Sequence, residues 1–134
     1  RLFVQEGGAN LYRLDMSNLG EKNVLRRVDS MDGLGGWVAT ADIRADGRRL
    51  AMLVESPQQS LWLFEKPESG NKWFSDSPEV KRYKFFDGGQ LESLAFVGAG
   101  ENESLVMLNE ERQMFRVEMD KFELVTRASS ESSR

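Results

Sequence analysis

The stretch LVMLNEERQMFRVEM, residues 105 to 119, runs apolar, drops into a polar turn at Asn109 to Arg112 and turns apolar again. The same design occurs twice earlier. Leu2 to Glu6 and Leu11 to Asp15 flank GGAN, and Leu50 to Glu55 and Leu61 to Glu65 flank SPQQS. Both runs of each copy end on an acid. Short runs rich in Val, Leu, Phe and Trp between turn-forming residues predict strands. Helix is excluded because no stretch holds apolar residues at three-and-four spacing for the ten or so residues a helix needs. The first run of each copy is apolar on both faces instead of alternating, which requires sheets stacked on either side of it.

The flanking sequence extends each hairpin into a four-stranded unit. VATADIRADGRRLAML (38–53) places Asp46-Gly47 between two apolar runs, the signature of a two-residue hairpin whose central positions both tolerate positive φ. LESLAFVGAGENESLVML (91–108) repeats the arrangement around a longer glycine-rich turn. Val24 to Val28, Val80 to Phe86 and Phe122 to Thr126 are more polar, as edge strands tend to be. The copies begin at Leu2, Leu50 and Leu105, 48 and 55 residues apart, somewhat above the roughly 40 to 50 residues of a propeller blade, an excess that insertions in connecting loops absorb. The predicted fold is therefore all-β: a β-propeller segment of about three four-stranded antiparallel blades at 1–29, 37–86 and 90–128, the first lacking its innermost strand, followed by a flexible tail at 129–134. Propellers carry four to eight blades, each leaning on its neighbours around a ring. The remaining blades are expected in the same chain or in another, and an opening residue of Arg1 instead of Met agrees with a piece of a longer polypeptide.

Composition narrows the chemistry. The chain has no His and no Cys, which removes Ser-His-Asp and Cys-His catalysis, disulfides and the usual zinc ligand sets. A net charge of −4 with Lys and Arg dispersed gives no footprint for nucleic acid. No apolar run approaches the length of a membrane span, so no membrane insertion is expected. No glycine-rich loop is followed by Lys-Ser or Lys-Thr, so a Walker-type phosphate cradle is absent.

Two segments carry a family resemblance. TADIRADGRRLAMLVESPQQSLWLFEKP (40–67) looks like blades of bacterial propeller proteins, and GGQLESLAFVGAGENESLVMLNEERQMFRVEMD (88–120) is similar to the blade of phytase-like esterases and related six-bladed propellers that carry a Glu-Gly-(Ile/Leu)-Ala strand. The resemblance covers half to two thirds of the chain and implies a six-bladed ring in a periplasmic or secreted protein. It places Glu92 at the acid of the Glu-Gly motif, on an innermost strand where such acids help hold a cation, Ca2+ being the natural one for oxygen ligands. Ser93 stands where the motif has glycine. Asp42, on the equivalent strand of the second unit, is a further metal candidate, and for both acids a plain hydrogen bond to a neighbouring amide is the competing role.

Recognition has its own candidates. Trp73-Phe74 lies in the polar insertion PESGNKWFSDSP (67–78) and is either a ligand-binding anchor or a plug folded over a blade edge. Trp62, among apolar neighbours in a strand, is core. Glu6, Glu55 and Glu110 recur at one position and are assigned a structural role, and DSMDGLGG (29–36), lacking the acid spacing of an EF-hand loop, a connector between blades. The expected function is a propeller scaffold that binds a protein or small-molecule ligand. The rival is a hydrolase of the phytase-like or lactonase-like class built on a carboxylate-bound cation.

Overall fold

In the computed structural model, residues 7–17, 20–55 and 58–126 are described. The run Leu2 to Glu6 and the tail at 129–134 lie outside them. Every regular element longer than one helical turn is a strand: β1 (Ala9–Arg13), β2 (Arg26–Met31), β3 (Trp37–Ile43), β4 (Arg49–Glu55), β5 (Gln59–Glu65), β6 (Val80–Phe85), β7 (Leu91–Val97), β8 (Ser104–Asn109), β9 (Met114–Glu118) and β10 (Glu123–Leu124). Short 3-10 turns sit at Gly100–Asn102 and Met119–Lys121. No helix among these residues is long and apolar enough to cross a membrane.

The strands form three antiparallel sheets, β1-β2, β10-β6-β5-β4-β3 and β7-β8-β9. The central sheet explains the unbroken apolar runs. In β4, Leu50, Met52 and Val54 face one way and Ala51 and Leu53 the other; in β5, Trp62 and Phe64 oppose Leu61 and Leu63. One face packs with Ala9, Leu11, Met31 and Leu34 of the first sheet and its exit loop. The other packs with Leu91, Leu94, Leu105, Met107 and Val117 of the third. Trp62 is core, its indole N–H donating to Ser60 Oγ at 3.1 Å and the Arg82 guanidinium lying 5.2 Å above its ring.

Three expectations are revised. The Asp46-Gly47 turn is wider than a two-residue hairpin: Arg44 N donates to Arg49 O and Gly47 N to Arg44 O, and of the two central residues only Gly47 takes positive φ, at 72°. Asp46 is held because its carboxylate accepts from the Arg44 guanidinium and the Arg48 amide. In the first unit the strands are offset, with β1 starting at Ala9, before Leu11, and β2 running on to Met31, past Val28. Finally, the strand expected as the fourth of the third unit pairs elsewhere. Glu123 lies opposite Arg82 and Leu124 opposite Lys81, so β10 extends the central sheet beyond β6. The turn at Met119–Lys121 redirects the chain, and Phe122 is buried 5.9 Å from the Tyr83 ring, so burying that phenyl between the sheets decides which edge the strand joins.

Candidate functional site

The sequence candidates fall in two regions. The first is the pair of strands β3 and β7, which lie side by side although they belong to different sheets. Asp42 Oδ2 accepts from Phe96 N at 3.1 Å, bridging them. Each of these strands carries a bulge at the same point: pairing skips Ala39 in β3 and Glu92 in β7. A bulge re-aims the extra side chain. It brings Glu92 to Glu110, whose amide donates to Gln90 O at 3.2 Å. The two carboxyls share a hydrogen bond, and that bond together with the like charge pushes Glu110 above the usual glutamate range. By repeat position the residue corresponding to Glu92 is thus Ala39, and Asp42 corresponds to Ala95. Among the described residues no three His, Cys, Asp or Glu side chains converge as a ligand set.

Of the recurring acids, Glu55 links sheets: its Oε1 accepts from Leu91 N at 3.2 Å and from Gln59 Nε2. Glu6 is outside the described residues. A second tie between the central and third sheets is ionic. Glu103, 5% exposed, accepts from Arg44 at 2.9 Å and Arg49 at 2.8 Å, while Arg44 also grips Asp46 and Arg49 also grips Glu65. Hydrogen bonds that its guanidinium donates to Asp46 and Glu103 hold Arg44 in its charged form well above the ordinary arginine range.

The second region is the loop between β5 and β6 that carries Trp73 and Phe74. Phe74 is buried, its ring 5.3 Å from Phe64. Trp73 is half-buried against the same core cluster and borders a cleft of about 560 Å3 whose other walls are Leu11 to Arg13 of β1, Leu14 just beyond it, Val28 and Asn71. The loop is pinned by a residue that the sequence alone assigns to a connector. Asp29, in β2, accepts from Phe74 N at 2.8 Å and Ser75 N at 2.9 Å through Oδ2, and from Ser75 Oγ at 2.6 Å through Oδ1. Partial burial pushes the Asp29 carboxyl up, but the bonds from Ser75, Ser30 and Phe74 outweigh it and leave the group below its usual range. No local pattern announces a partner more than forty residues away, so sequence reasoning missed this clamp.

A second groove, of about 570 Å3, adjoins the cleft and shares Arg13 and Val28 with it. It adds Lys22, Asn23 and Arg26, with Asp15 as its one acid among the described residues. The Asp15 carboxyl accepts from Ser17 N at 3.0 Å, and that bond, helped by Arg13 and Arg26, holds it below its usual range. Compared with known proteins, the chain matches no family model, no curated protein and no solved structure.

Proposed function

We propose that the chain is a segment of a β-propeller that works as a rigid binding scaffold, its three sheets serving as successive blades. One observation carries this: the central sheet is covered on both faces by sheets earlier and later in sequence, with β3 and β7, the first strand of the second and third units, held edge to edge by Asp42 and Phe96. Blades around an axis meet in this way along their innermost strands. On the far side of the third sheet Val97, Leu108 and Met114 are 38%, 45% and 69% exposed, a face that another blade would cover. The resemblance to six-bladed bacterial propellers supplies the ring size, and the remaining blades belong to the same polypeptide or a second one.

Light scattering after size exclusion tests the reading. The chain alone is expected to self-associate through its open faces, and the double variant Leu108→Glu, Met114→Glu to shift it toward monomer with an unchanged melting temperature. A stable, compact monomer of the unaltered chain would overturn the proposal. For the scaffold role against the hydrolase, assays on the complete propeller with and without chelator are expected to show no chelator-sensitive ester or phosphoester hydrolysis. Calorimetric calcium titration of the same protein is the direct check on Glu92 and Asp42.

A further inference from the structure

We infer that the cleft between the first sheet and the Trp73 loop is a binding site for a short acidic peptide segment that also carries an apolar side chain. The inference rests on the scaffold reading and names the ligand class. Charge is the first argument. In a chain of net charge −4, the two neighbouring grooves gather Arg13, Lys22 and Arg26, with Asp15 the one acid among the described residues that line them. A guanidinium pair matches carboxylates by geometry as well as by sign.

Shape is the second. Each groove lies within the ~300–1,000 Å3 range of small-ligand sites, and the two share Arg13 and Val28 as a common wall. Two neighbouring grooves along one strand pair suit successive residues of an extended chain. Leu11, on the same face of β1 as Arg13, and the open edge of Trp73 provide an apolar wall beside the cations. Aromatic side chains next to arginine are the composition of recognition hot spots.

Preorganisation is the third. Trp73 is not on a free loop: the next two residues are fastened to Asp29 by three hydrogen bonds, and Phe74 is rooted in the core beside Phe64. A wall already held in place loses little entropy on binding. The Trp73 cleft lies between the first sheet and the β5-β6 loop, away from the exposed outer face of the third sheet.

The test is calorimetric titration of the full chain with acetyl-Glu-Leu-Asp-Phe-amide, alongside the same peptide with lysines replacing both acids. The acidic peptide is expected to bind in the micromolar range, more weakly as salt is raised, and the cationic one not at all. Arg13→Gln and Arg26→Gln should each weaken binding about tenfold, the effect of losing one charge-assisted hydrogen bond, and Lys84→Ala, outside the grooves, should leave it unchanged. Trp73→Ala should weaken it as well. Since Trp73 also touches the core, the exposed arginines are the decisive variants. No heat from a chain that still melts cooperatively, equal binding of the cationic peptide, indifference to both arginine variants, or full displacement by inorganic phosphate would each overturn the inference. None of these outcomes would disturb the self-association by which the propeller reading is judged.

Discussion

Two side chains sit where their chemistry is at odds with their surroundings. Ser104 is 1% exposed, and its hydroxyl has no hydrogen-bond partner among the described residues. Burying a hydroxyl unpaired costs stability, so Ser104→Ala is expected to leave the protein as stable or up to about 1 kcal/mol more stable, read from the urea midpoint at constant slope. Arg112 closes the β8-β9 turn with φ of 64°, a left-handed conformation that a side chain disfavours. Its amide donates to Asn109 O, and Asn109 is tied to Gln113 by backbone and side chain, so the turn persists despite the strain. Arg112→Gly should relieve it and raise stability by about 1 kcal/mol, visible as a higher melting temperature.

Among the elements, the joints between sheets are ionic and amide-based as well as apolar. Glu103 joins the turn before β8 to Arg44 and Arg49 of the central sheet while itself nearly buried. Removing one member of such a group leaves the others uncompensated. Each arginine keeps a second carboxylate, so Glu103→Gln is expected to cost about 2 kcal/mol, less than a fully orphaned buried charge. Denaturant unfolding measures it, and an unchanged midpoint would mean the joint is apolar alone. The β5-β6 loop depends on Asp29 in the same way. Asp29→Ala should loosen Trp73 and Phe74 at a cost of about 1 kcal/mol, and faster amide exchange confined to residues 71–76 is the expected signature.

For the whole molecule, these carboxylates give stability a defined pH dependence. Asp15, Asp29 and Asp46 titrate below the ordinary value of 3.8, so the stability they contribute is present above that pH and lost as pH falls through their depressed values. Glu110 has the opposite sign. Its shared proton with Glu92 favours the fold below the ordinary 4.5 and the contribution disappears as pH rises through its raised value. Melting temperature is therefore expected to fall on acidification below about pH 4. Asp29→Asn should flatten that limb, and Glu110→Gln should leave it in place while removing the loss on the alkaline side of the glutamate titration.

The sequence determined the local content of this fold. Apolar runs between turn residues announced the longer strands from β4 to β9 to within about two residues, most plainly β4 and β5, whose faces are both buried so that nearly every position in them is apolar. It also marked Trp62 as core and isolated the loop bearing Trp73. Tertiary structure decided what depends on distant partners. β10 joined β6 because Phe122 buries beside Tyr83, Asp29 found the β5-β6 loop, and the bulge in β7 turned Glu92 toward Glu110. Periodicity records whether a residue is buried; which surface buries it is set by packing between segments far apart in the chain, and the composition of either segment alone does not carry that information.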